Sequence, residues 1–454
     1  MEAVDLDRRY RTYDGWIPPT VASLLREQGH FGILRRQAAA GDWFCAHGLA
    51  QAALVDDPGP TGRETALALL EPFVATGWMK AVSTVAGMLA DWDRLDEAIT
   101  LLRRAADSGD RKALRQMAPL LARQGGIDEV IALLGPRAAD QSLAETLVEL
   151  TAGHGRDEEI AALLPAVSVG PTDPFEPWRA DDWDTVPLHA TLLERQGRVD
   201  EAVSLLHRHV YVDGVMYADH AQQLARLLAR HSREAELRRF AADGGEEYAL
   251  AALADHLEER QRIDEAVDTL RAADAQGNPH VALHLSELLA RHGRRSEAIE
   301  ALRPIPHTMG GDPEWIIRPL CRLLVDEGRS DQAFAYIDDF YARHGGTPDE
   351  RLLERAEVHA YRGCPDQAVA EIRTAGPVSR YIVQRLSELF STYDYDYDYG
   401  NGVSDSAGDE APDGTLTGAV TRAEHLVRQG EADQAVAFLR RHLDGPKALR
   451  REHL

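Results

Sequence analysis

The residues whose type and spacing could do chemistry are few. His280 and His284 stand four apart, which on a helix turns both imidazoles to one side, as two histidines that hold a metal ion require. No glutamate adjoins His280 and no third ligand follows, so two exposed histidines on one helix face fit the pair equally well. Asp394, Asp396 and Asp398 alternate as the opening ligands of a calcium loop do. Tyr399, however, takes the place where such a loop turns on glycine, and Asp405 the place of its bidentate glutamate; a solvated acidic linker is the better account. The Asp-Glu pairs at Asp96-Glu97, Asp128-Glu129, Asp200-Glu201 and Asp264-Glu265 resemble paired catalytic acids only in isolation. They recur at one position of a repeated pattern, where carboxylates suit the positive end of a helix dipole. His207 and His209 fall at the other end of a helix, where cations are favoured for the same reason. No nucleophile elbow, phosphate loop or dinucleotide fingerprint is present, and the sequence predicts neither catalysis nor a cofactor.

Recognition chemistry is better represented. Trp315, Arg318 and Arg322 are spaced i, i+3, i+7 and share one helix face. Arginine forks grip carboxylates bidentately, and tryptophan adds flat apolar area. The combination suits an extended or helical segment bearing acidic groups.

The elements that position these residues are read from internal repetition. A phrase close to Gly-Arg-x-Asp-Glu-Ala returns around Ala66, Ala98, Val130, Glu159, Ala202, Ala266, Ala298, Ala333, Ala368 and Ala435, with a degenerate copy near Ala235 and a period of about 33 residues. Each unit reads as two helices. In the unit from Lys80 to Asp110, Val82, Val85, Ala86 and Leu89 make one buried stripe, and Ala98, Leu102 and Ala105 make the second. Small residues recur midway along the first helix (Ala86, Ala118, Ala190, Ala254, Ser286, Cys321, Ala356, Ala423) and alanines early in the second. This spacing of small and large residues resembles the tetratricopeptide repeat over roughly residues 20–445, with Sel1-like repeats as a close relative. The aromatic residue frequent in that family is Val82, Leu250 or Ile317 here. The resemblance implies an all-α, right-handed superhelical solenoid of antiparallel helix pairs, whose concave groove is lined by exposed positions of the first helices. Those positions include Lys112, Arg115, Tyr248, Arg291, Trp315, Arg318 and Arg322.

The expected organisation is a lead-in or cap over 1–19, the repeat array over 20–445, and a tail over 446–454. Insertions interrupt the array at 165–187, where five prolines accompany Phe175, Trp178 and Trp183, and at 392–414, rich in Gly, Asp and Ser. The chain has 454 residues and a formal charge of −25, which argues against nucleic acid or an anionic membrane as partner. Its three cysteines, Cys45, Cys321 and Cys364, are scattered, so no disulfide framework or zinc knuckle is suggested. Neither a signal peptide nor an apolar run of the ~18 residues a membrane span needs is seen, and a cytoplasmic protein is expected. The functional expectation is a non-catalytic scaffold binding a partner protein or peptide in its groove, with self-association left open. The alternatives are a ligand- or metal-responsive regulatory module and an enzyme with its site in the insertions.

Overall fold

A solitary helical hairpin leaves one apolar stripe in water, so a chain that repeats such hairpins must stack them. The computed structural model describes residues 2–167, 184–212, 215–274, 277–308, 313–375 and 416–443, and these form antiparallel helix pairs almost throughout. The chain divides into two compact units. The first opens with α1 (Ala3–Thr12), followed by the pairs α2 (Pro19–Glu27) and α3 (Phe31–Ala39), α4 (Trp43–Asp56) and α5 (Pro60–Val74), α6 (Met79–Asp91) and α7 (Leu95–Asp107), α8 (Arg111–Arg123) and α9 (Ile127–Leu134), and α10 (Gln141–Leu150) and α11 (Asp157–Leu163). After α12 (Val186–Arg195) and α13 (Val199–His209), the second unit continues with α14 (Ala218–Arg230) and α15 (Glu234–Phe240), α16 (Glu246–Glu259) and α17 (Ile263–Asp274), α18 (Pro279–Arg291) and α19 (Arg295–Leu302), the single turn α20 (Ile305–Thr308), α21 (Glu314–Asp326) and α22 (Ser330–His344), and α23 (Pro348–Tyr361) and α24 (Pro365–Ala375). A last pair, α25 (Leu416–Arg428) and α26 (Ala432–Leu443), belongs to the first unit.

The alanine anchors are where the stack closes. Ala66, Ala98, Ala202, Ala266, Ala298, Ala333, Ala368 and Ala435 are all fully buried, because a side chain of one methyl lets neighbouring helices approach. At two anchors the register read from the sequence is corrected. Ile160 rather than Glu159, and Leu237 rather than Ala235, fill the buried position. Both follow the preceding arginine by four residues, as Ala266 follows Arg262. A small two-stranded ribbon, Tyr211–Val212 against Val215–Met216, is the sole strand pairing among the described residues. It lies in the connection between α13 and α14 and leaves the all-α class unchanged.

One turn joins most pairs, and its chemistry explains the recurring Gly-Arg. The residue before the arginine has positive φ: Gly197, Gly293 and Gly328, but also Asp93, Ser232 and Gln261. In this left-handed cap the next amide reaches back to close the helix, as Arg262 N to Leu257 O and Arg294 N to Leu289 O do, each at 2.8 Å. The arginine then spans two repeats. Arg94 grips Glu97 of its own helix at 2.6 Å and Glu64 of the preceding pair at 2.7 Å. Arg233 joins Glu236 and Asp200, and Arg262 joins Glu265 and Glu234. Of the paired acids, Asp128, Asp200 and Asp264 are therefore helix-start residues that also receive the next repeat's arginine.

In the first unit α1 buries Leu6, and Trp16 packs edge-on to Phe44 and tilted against Trp78. Most of the proline-rich insertion, including Phe175, Trp178 and Trp183, lies outside the described residues, as do the acidic 392–414 segment and the 446–454 tail. No described helix is long and apolar enough to cross a membrane.

Candidate functional site

The first helices of the second unit stand side by side in chain order: α14 packs on α16, α16 on α18, α18 on α21, and α21 on α23. Equivalent residues on neighbouring helices therefore form columns. Leu250, Ala282 and Ile317 form a buried column. Two residues before each, on the accessible flank, stand Tyr248, His280 and Trp315.

His280 stacks on Trp315, ring centroids 4.7 Å apart at 27°, and its Nδ1 lies 3.4 Å from Glu247. The indole is half-buried by this contact. Burial pushes the Tyr248 phenol above its ordinary range, with Glu247 and Asp219 adding to the effect. Three flat rings on successive helices thus make a column of apolar area edged by carboxylates. His284 faces Glu287 instead, at 3.8 Å. His280 and His284 thus have different partners, and among the described residues no three His, Cys, Asp or Glu side chains gather as metal ligands would.

The predicted cationic residues fare differently from one another. Lys112 and Arg115 are exposed on α8, in the first unit. Arg322 is exposed on α21. Arg291 donates to Glu258 at 2.6 Å, and His292 closes on the same carboxylate at 2.7 Å. An identical arrangement occurs where Arg230 and His231 share Glu194. Arg291 is thus part of a device that joins neighbouring first helices.

Arg318 departs furthest from the expectation that it would grip a partner's carboxylate. It lies 2.9 Å from Glu314, 3.3 Å from Glu354 and 3.2 Å from Glu357. Glu354 is 2 % exposed and Glu357 6 %. A buried carboxylate is tolerated only with a partner, and Arg318 is committed to that role. Burial and the neighbouring charge of Glu357 outweigh the arginine and push the Glu354 carboxyl up to about 8. The same environment pushes the Cys321 thiol far up, chiefly by burial, leaving it a buried, unreactive side chain.

Glu354 and Glu357 were not singled out from sequence, though a signal existed. Glu354 directly follows the buried Leu353 and is itself buried. Glu357 follows Ala356, the residue that stands where the preceding pair has Cys321. A glutamate in a core column calls for a cation on the adjacent helix. The same logic applies to His359, which is 8 % exposed and meets Glu371 at 2.9 Å. Arg355 joins that glutamate to Asp338.

No family model matches the chain, and no curated protein matches it. Among solved structures it is similar to a Naa15/Naa10 complex bound to HypK-THB, at 12% identity over 98% of this chain and 91% of that one, with a TM-score of 0.33. It is also similar to a tetratricopeptide repeat protein from Parabacteroides merdae, at 14% identity over 58% of this chain and 98% of that one, TM-score 0.25. A third is the pentatricopeptide repeat protein PPR10 from maize, at 15% identity over 98% and 71%, TM-score 0.33.

Proposed function

We propose that this tetratricopeptide-like helical-repeat chain is a non-catalytic scaffold that holds a segment of a partner protein against the first-helix layer of its second unit. The observation that carries the reading is the column Tyr248, His280 and Trp315, accessible and in register on α16, α18 and α21. Packed helices lie about 8–10 Å apart. A polyproline II segment repeats its side chains on one face every three residues, at about 9.3 Å. An extended segment with an apolar residue at every third position therefore matches the spacing of the helices, with the stacked His280 and Trp315 rings, 4.7 Å apart, offering one shared contact. With Arg318 held by three glutamates and Arg291 by Glu258, Arg322 is, among the described residues predicted from sequence, the cation left beside the column for an acidic group of the partner. The proposal places the protein in the cytoplasm, consistent with three free cysteines.

The test compares the wild type with a Tyr248→Ala/His280→Ala/Trp315→Ala variant, first by melting and then on an array of extended peptides with apolar residues at i, i+3 and i+6. Peptides held by the wild type and lost by the variant, with melting within a few degrees, support the reading. Equal binding by both proteins moves the site away from this column, and absence of any binder rejects an extended partner of this pattern. Arg318 is left untouched, because its loss is expected to destabilise the fold.

A further inference from the structure

The hairpin α25–α26 docks on the N-terminal pair of its own unit. Helix α25 packs on α2, the opposite end of the sequence. Val427, Ala435 and Leu439 are buried in one cluster with Val21, Leu25 and Leu34. Arg36 pairs with Asp433 at 3.0 Å, and Arg440 donates to Gln37 at 2.8 Å. Gln37 is itself buried, so the polar contacts extend into the seam. The hairpin acts as the missing neighbour of the first repeat: it covers an apolar flank that a stack would otherwise leave in water.

Two properties of this contact reach beyond one molecule. Its two sides are different surfaces, so it is heterologous: any copy with an open α2–α3 flank accepts the hairpin of any other copy. Residues 376–415 separate α24 from α25 in the sequence. We propose that α25–α26 is an exchangeable cap whose second acceptor is the α2–α3 flank of another copy of this chain, linking copies head to tail. Because hairpin and flank belong to one chain, self-docking is favoured over docking between copies. The closed single chain therefore prevails in dilute solution, and exchange dominates where self-docking is spoiled. The proposal is independent of the partner-binding column.

The experiment uses two full-length variants. Ala435→Arg prevents a chain's hairpin from seating and leaves its flank open. Val21→Arg spoils the flank and leaves the hairpin free. Each alone is expected to sediment as a single chain, and the equimolar mixture as a complex of two. A mixture that stays at the mass of one chain up to 100-fold above the concentration of the wild-type assay overturns the proposal. A second measurement guards against misfolding of either variant. In a Cys364→Ser background, Arg36→Cys and Asp433→Cys are placed either in one chain or in two separate chains, and a short bismaleimide is added. The buried Cys45 and Cys321 stay silent. The one-chain form is expected to link internally, and the mixed chains to link to each other in a yield that rises with concentration. Internal linking without any between chains overturns exchange, and no linking in either form overturns the docking itself.

Discussion

The second unit uses the same pair of chemical groups in two settings, and they behave differently. Along the start of its second helices, Arg233, Arg262 and Arg294 each bridge a glutamate of their own helix and an acid of the preceding repeat. These pairs face water; the side chains of Asp200 and Asp264 are 89% and 96% exposed. Between α21 and α23, Arg318 meets Glu354 and Glu357 almost out of reach of solvent. Water and salt screen the exposed seam, so each of its pairs contributes little and the ladder adds register rather than strength. The buried cluster has no such screening, and losing one member strands a charge. Repetition marks the weaker interaction, and this departure from repetition marks the stronger.

Removing the arginines separates the two cases most widely. Arg318→Ala is expected to cost about 3–5 kcal/mol of stability, since it leaves two glutamates buried without a cation, and urea unfolding measures it. A loss under 1 kcal/mol would mean that the cluster is as well solvated as the seam.

The proton on Glu354 sharpens the same contrast. Its carboxyl sits at about 8 in the folded chain, above the ordinary value near 4.3. The folded state therefore keeps a proton that the unfolded state releases. This contribution to stability is fully present below the ordinary value, and it is lost as pH rises through about 8. Glu354→Gln removes that dependence and is expected to gain on the order of 4–5 kcal/mol relative to the wild type at pH 8 and nothing at pH 4. Melting curves of both proteins across that range decide it; parallel curves would show that Glu354 ionises normally.

The seam should give the smaller response. Arg233→Ala is expected to cost about 0.5–1 kcal/mol in dilute buffer and less in molar salt. A loss that survives high salt would place this arginine with the buried class. The turn that presents these arginines offers the subtlest change. Gln261 holds φ of 61° where glycine stands in several other repeats, so Gln261→Gly is expected to stabilise by about 0.5–1 kcal/mol. The mutant's midpoint against urea checks the sign.

How much was legible from sequence follows the same division. The helix pairs, the buried alanines such as Ala202 and Ala298, and the helix-start role of Asp264-Glu265 came from periodicity, because each depends on contacts within one repeat or between adjacent repeats. Register slipped at Glu159 and Ala235, where a larger Ile160 or Leu237 replaces the alanine and removes the most visible signal. Placing Trp315 and Arg318 on one face was sound as helix geometry, yet it did not reveal that Trp315 stacks on His280 while Arg318 turns to Glu354.

By itself the sequence determined the class of architecture, since a period of about 33 residues with small residues at fixed places is compatible with stacked helical hairpins and little else. Tertiary structure alone decided which charges are in use. The state of Arg318 depends on two glutamates more than thirty residues away, and on whether water reaches them. The seat of the last hairpin was likewise invisible to periodicity: its stripe fits the flank of any similar repeat, and only the folded chain shows that Ala435 is buried beside Val21. Local pattern specifies an element and its apolar face. The partner that covers that face is settled by which surfaces meet when the whole chain has folded.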